Sequence, residues 1–155
     1  IEGTPDELRK VLERIDVLII NDSEARELSR ESNLVKAARV LRRMGPCTVV
    51  IKRGEHGVLT TCSGEDEFFA APAMPLEDVF DPTGAGDTFA GGFMGSLAAS
   101  GETDDAAMAR AIIYGSTLAS FAVEDFSLDR LLRLTREEIR ERFRHFRRLT
   151  QFEED

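Results

Sequence analysis

At 155 residues, with 42% hydrophobic and 32% charged positions, the chain is one domain's worth of globular protein with enough apolar side chains for a real core. Twenty-nine acids against 20 bases leave a net charge of −9, which argues against nucleic acid or an anionic membrane as the main partner. No apolar run approaches the roughly 20 residues of a membrane span, and two cysteines, Cys47 and Cys62, read as buried reduced thiols of a cytoplasmic protein.

The N-terminal Ile1-Glu2-Gly3 has neither targeting character nor the look of a natural start. Thr4-Pro5-Asp6-Glu7 has the form of a capping box with proline at the first helical position. It predicts a helix to about Arg14, with Leu8, Val11, Leu12 and Ile15 inward. Val17-Leu18-Ile19-Ile20 is a continuous apolar run of strand length, expected for a parallel strand covered on both faces. Asn21-Asp22-Ser23-Glu24 follows at its carboxyl end, where open α/β sheets bind ligands. A plainer role is also open, in which Asp22 or Ser23 caps a helix over residues 24–29.

Apolar residues at 34, 35, 37, 38, 40, 41 and 44 keep a helical period, with Arg39, Arg42 and Arg43 on the wet side and Gly45-Pro46 as the stop. Thr48–Ile51 is the second buried strand, and Lys52-Arg53-Gly54-Glu55-His56-Gly57 leads to an extended segment at 58–61. On pattern alone this turn is a glycine-rich hairpin connection. Lys52 is its best candidate for a phosphate contact, and His56 faces solvent. Two successive strand–helix units imply a doubly wound α/β sheet. Glu67–Ala70 and Glu77–Phe80 read as further short strands.

The second of these delivers the chain to Asp81-Pro82-Thr83-Gly84-Ala85-Gly86-Asp87-Thr88-Phe89-Ala90-Gly91-Gly92-Phe93. Asp81 to Thr83 form a turn, and the glycines swing the backbone into a helix that starts near Ala85. First-turn amides lack internal partners and carry the positive end of the dipole, so this is a local recipe for an anion site. A carboxylate at Asp87 would repel a phosphate unless it has a task, and taking a proton from an attacking hydroxyl is that task. Otherwise Asp87 is a first-turn acid favoured by the dipole. A P-loop is excluded because no Lys followed by Ser or Thr comes after the glycines, and a dinucleotide fingerprint because Phe89 stands where its third glycine belongs.

The helix predicted over 85–100 carries Gly91, Gly92 and Gly95, accepted through close packing, and Gly101 ends it. Thr103-Asp104-Asp105 caps a helix to about Val123 with Ala106, Ala109, Ile112, Ile113, Ala119 and Ala122 on its apolar face. Leu128–Leu134 is a short helical piece. Thr135-Arg136-Glu137-Glu138 is a second capping box, opening a terminal helix. Its Arg140, Arg142, Arg144, Arg147 and Arg148 interleave with Glu137, Glu138 and Glu141, and with the acidic end 153–155, as a solvated ion-paired face.

The run from Asp81 to Phe93 closely resembles the second signature of the ribokinase-like, or PfkB, carbohydrate kinases, and the likeness extends from about Asp16 to Leu134. The resemblance implies an α/β, ribokinase-like three-layer α/β/α fold, with this chain its C-terminal half around a mostly parallel central sheet. It implies anion-hole amides at Gly84, Ala85 and Gly86, Asp87 as catalytic base, and Asn21 and Glu24 ordering Mg²⁺ and phosphates. Lys52, Gly54, Gly57 and Thr83 would lie by the ATP. Ser116 stands where the family often places an adenine-facing asparagine, or is a small packing residue.

The implied reaction is phosphoryl transfer from ATP·Mg²⁺ to a hydroxyl of a small sugar or nucleoside. The family's glycine-glycine substrate signature and lid are missing, so residues 1–155 read as the C-terminal nucleotide-binding and catalytic part of a longer kinase. The alternative is a non-catalytic nucleotide- or phosphate-binding module, or an inactive fragment. A sheet cut in its middle leaves an unpaired edge, so self-association into a homo-oligomer is expected.

Overall fold

The computed structural model describes residues 5–64 and 67–151. Thr4 of the first predicted capping box, the Ile1-Glu2-Gly3 start and the acidic end 153–155 lie outside the described residues. The chain divides into two compact units, Ile1–Gly54 with Val58–Ala70, and Glu55–Gly57 with Ala71–Asp155.

The first unit is built on a four-stranded sheet of order β1-β2-β3-β4, with β1 Val17–Asn21, β2 Thr48–Lys52, β3 Val58–Thr61 and β4 Phe68–Ala71. Its helices are α1 Pro5–Leu12, α2 Asp22–Ser29 and α3 Leu34–Arg42. β1 and β2 pair in parallel from Val17↔Thr48 to Asn21↔Lys52, while β2 and β3 run antiparallel. The sheet is therefore mixed rather than mostly parallel, because the short Arg53–Gly57 connection makes a hairpin and leaves no room for a crossover helix. Ile20, Ala25, Ala38, Leu41, Val49 and Ile51 form the core. Where the β2–β3 ladder ends, buried hydroxyls extend it: Thr60 Oγ1 donates to the Val49 carbonyl and the Val49 amide donates to Thr61 Oγ1, each at 3.0 Å.

The second unit packs α4 Ala85–Ser100 on α5 Asp105–Ala122, followed by α6 Asp129–Leu132 and α7 Arg136–Thr150. Asp104 caps α5 through the Ala107 amide at 2.7 Å, and left-handed Gly101 closes α4 by donating to the Leu97 carbonyl. Phe89 and Phe93 stack 6.2 Å apart; Phe93 is fully buried, which contributes about 3 kcal/mol. A β-carbon on Gly92 would fall 3.1 Å from the Gly115 Cα, so two glycines let the helices close on each other. Gly91 and Gly95 have open space at that position, and close packing does not account for them.

Thr135 and Glu138 form the expected capping box of α7. The Thr135 hydroxyl and amide, with Arg130 Nη2 at 2.6 Å, hold the Glu138 carboxyl down at about 2 from its usual 4.5. Its stabilisation is complete above pH 4.5 and disappears as pH falls through 2. Unfolding followed between pH 5 and pH 2 should therefore show a shallower acid loss in Glu138→Gln than in the unsubstituted chain.

Other expectations change. Residues 77–80 form no strand; among the described residues their backbone bond runs from the Phe80 amide to the Val123 carbonyl at 2.9 Å, and Phe80 is 73% exposed. Val11 is exposed, leaving Leu12 as the buried anchor of α1. On α5 the inward face is Ala107, Met108, Ala111, Ile112 and Gly115, while Ala106 is exposed; a helix apolar nearly all round carries no period to choose a face. Cys47 is exposed and Cys62 half-buried. Arg42 is not a wet-side cation: its guanidinium donates to the carbonyls of Cys62, Ser63 and Gly64 at 2.8 to 3.0 Å. No helix among the described residues is long and apolar enough to cross a membrane.

Candidate active site

The candidate residues fall in two groups. Asn21, Glu24, Lys52 and Gly54 belong to the first unit, and Gly57, Thr83 to Asp87 and Ser116 to the second.

In the first group, strand pairing sets Asn21 and Lys52 side by side as register partners at the ends of β1 and β2. Asn21 is the N-cap of α2, where Asp22 or Ser23 had been the expected cap. Its Oδ1 accepts the Glu24 amide at 2.8 Å and the Ser23 hydroxyl at 2.8 Å, and Glu24 Oε2 accepts the Asn21 amide at 3.0 Å. Asn21 wins because it is the last extended residue before the helix, placing its oxygen over the N3 amide. Asp22 pairs instead with Arg26, which lowers its pKa.

These bonds bear on metal binding. The Asn21 oxygen already has two donors, whereas exposed Glu24 engages one of its two oxygens. No three His, Cys, Asp or Glu side chains gather into a metal-holding cluster among the described residues. One carboxylate of this kind suits an ion such as Mg²⁺ that keeps most of its water.

Gly54 opens a short 3₁₀ turn to His56, which is exposed, and Lys52 is half-buried. Gly57 has φ +81°, and a β-carbon there would fall 2.0 Å from the Ala71 carbonyl oxygen, so its glycine has a packing reason of its own.

In the second group, Asp81 starts the turn by accepting the Thr83 amide at 2.9 Å; the bonds from Thr83 hold its carboxyl below the usual range. The Ala85 amide donates to the Pro82 carbonyl at 3.2 Å, and the Thr88 amide to Gly84 at 2.9 Å. Gly84, at φ +78°, is the N-cap of the 16-residue α4 and offers no side-chain acceptor. The amides of Gly84, Gly86 and Asp87 consequently have no partner among the described residues. Three such donors at a helix N-terminus have the chemistry to receive an anion, while the Ala85 amide is turned back into the turn itself. A β-carbon at Gly84 would meet nothing within 4 Å, so the approach is open. The Asp87 side chain is exposed beside those amides and has no hydrogen-bond or ion-pair partner among the described residues. Ser116 is half-buried on α5.

The profile of the pfkB family carbohydrate kinases matches residues 2–132. The chain belongs to that family. Its relatives in the pfkB family include the cytidine kinase of Thermococcus kodakarensis, 43% identical over 57% of this chain and 32% of the relative. The aminoimidazole riboside kinase of Salmonella typhimurium is 35% identical over 78% of this chain and 38% of its own length. Among solved structures, aminoimidazole riboside kinase from Salmonella enterica, complexed with aminoimidazole riboside and an ATP analog, superposes with a TM-score of 0.79 at 26% identity. That match covers 92% of this chain and 46% of the other. A putative ribokinase II from E. coli, in complex with ATP and Mg²⁺, gives 0.71 at 27% identity, covering 90% and 42%. The chain thus spans roughly a third of the curated relatives and under half of the solved chains. These neighbours show the ribokinase fold, and with it the α/β class expected from sequence.

Sequence reasoning missed one polar cluster in the second unit. Arg142, expected on a solvated face, lies 3.5 Å from the centroid of the Phe121 ring and pairs with Glu124, as does Arg130. The i,i+4 logic of an exposed helix does not reveal a guanidinium that reaches across to another helix.

Proposed function

We propose that this chain is the nucleotide-binding and catalytic part, C-terminal in a longer cytoplasmic kinase, of an enzyme that transfers the γ-phosphate of ATP to a hydroxyl of a sugar or nucleoside. The observation that carries it is the head of α4: amides at Gly84, Gly86 and Asp87, beside an exposed carboxylate, none of which has a partner among the described residues. Membership of a carbohydrate kinase family, with relatives named as cytidine, aminoimidazole riboside and ribokinase, supports the reaction class.

In this reading Asp87 takes the proton of the attacking hydroxyl as its oxygen bonds to the γ-phosphorus and the bond to ADP breaks. The Gly84, Gly86 and Asp87 amides hold the charge on the phosphoryl oxygens, already aimed before the reaction begins. Glu24 would hold Mg²⁺, which would supply positive charge to the phosphates, and Asn21 fixes Glu24 in place. Lys52, Gly54, Gly57 and Thr83 serve the nucleotide, and Ser116 the base. β1, whose one neighbour among the described strands is β2, supplies the edge through which the chain self-associates.

Calorimetric titration with ATP and Mg²⁺ tests the anion site. Gly84→Glu puts a negative charge where the amides await one, and should weaken binding about tenfold or more while costing about 1–2 kcal/mol in left-handed strain. Equal affinity in Gly84→Glu would sink the reading.

A further inference from the structure

α7 lies beyond residues 2–132 that match the family, yet its Arg142 reaches Glu124, whose chain neighbour Val123 is bonded to Phe80 ahead of the α4 turn. Glu124, just past the end of α5, takes Arg130 Nε at 3.0 Å and Arg142 Nη1 at 2.5 Å. Arg130 also binds Glu138 at 2.6 Å, and Arg142 donates to Ser120 Oγ at 3.2 Å while stacking on Phe121. The side chains of Glu124, Arg130 and Arg142 are only 20–24% exposed, so solvent competes weakly for these bonds.

The loop that Glu124 belongs to is bonded to the approach to the turn. The Phe80 amide donates to the Val123 carbonyl at 2.9 Å. Asp81 in turn holds Thr83, and Pro82 holds Ala85. Contacts therefore lead from α7 to Glu124, whose chain neighbour Val123 holds Phe80, and the backbone runs on from Phe80 into the Asp81–Ala85 turn.

We propose that Glu124, Arg130 and Arg142 are positioning residues for the phosphate site: α7 clamps the 123–127 loop, and the clamped loop fixes the turn that aims the Gly84 and Gly86 amides. The inference rests on the anion-site reading above. Without the clamp the loop loses its anchor, Phe80 and Asp81 follow it, and the donors at the head of α4 no longer share one direction.

The test compares the 155-residue chain with Glu124→Gln, Arg142→Ala and Arg142→Lys by amide exchange, NMR and titration with inorganic tripolyphosphate and Mg²⁺. Glu124→Gln and Arg142→Ala should speed exchange of the Phe80 and Ala85 amides about tenfold and shift the Gly84 and Gly86 resonances, leaving Phe93 protected as before. Tripolyphosphate affinity should fall about tenfold with them, and Arg142→Lys should recover part of it. Unchanged exchange at Phe80 and Ala85, or an equal loss of protection at Phe93, would overturn the clamp. No tripolyphosphate binding by the unsubstituted chain would instead overturn the anion-site reading, and is seen without any variant.

Discussion

Asn in place of Asp87 should lower turnover of the complete kinase about a thousandfold and leave ATP·Mg²⁺ affinity equal or slightly improved. The substitution keeps the size of the side chain and removes its ability to hold a proton. Because Asp87 is exposed and bonded to no described residue, little of the fold depends on it beyond about 0.5 kcal/mol of interaction with the helix dipole. In the proposed reading, removing one negative charge beside the three amides assigned to the phosphates eases nucleotide binding. Single-turnover kinetics with the sugar or nucleoside substrate, paired with calorimetry and a melting curve, separate these effects. A variant that binds normally and keeps most of its turnover would remove Asp87 from the mechanism and return it to the role of a first-turn acid.

Leucine at Gly115 should destabilise the second unit by about 3 kcal/mol. A β-carbon there would fall 2.7 Å from the Phe89 carbonyl oxygen and 3.1 Å from the Phe89 ring. The first of these is backbone, which cannot yield without moving α4. Gly95→Ala is the control: its β-carbon meets nothing within 4 Å, and relief of glycine's entropy cost should stabilise α4 by up to about 1 kcal/mol. Denaturant unfolding of both variants measures the contrast. Since Phe89 follows Asp87 within the same turn of helix, Gly115→Leu should also weaken ATP binding, a distant packing change read at the head of α4.

What the sequence revealed was what local rules decide. The apolar runs at Val17–Ile20 and Thr48–Ile51 became strands, the capping box at Thr135 and the stop at Gly101 appeared where read, and the glycine motif became a helix head whose first amides have no partner among the described residues. Failures came where the decision is made by a distant partner. Residues 77–80 have strand-like side chains but no neighbouring strand among the described residues, where their backbone bond goes to Val123. Arg42 and Arg142 obey helical periodicity as wet-side residues, but their long stems carry the charge to carbonyls and to Glu124. Asn21 was read for ligand binding and Asp22 for capping. A side chain at the last position of a strand can do both, and only the backbone shows which oxygen sits over the Glu24 amide.

The parallel register of β1 and β2 has an evolutionary side. Asn21 and Lys52 arrive opposite each other because the two strands start together at Val17 and Thr48. Point substitutions can vary the chemistry at either end without disturbing this alignment. A single-residue insertion within either strand would reverse the face of every residue after it, and carry Asn21 or Lys52 to the other side of the sheet. Length changes in this lineage should therefore gather outside the strands, and the strand lengths themselves should drift least.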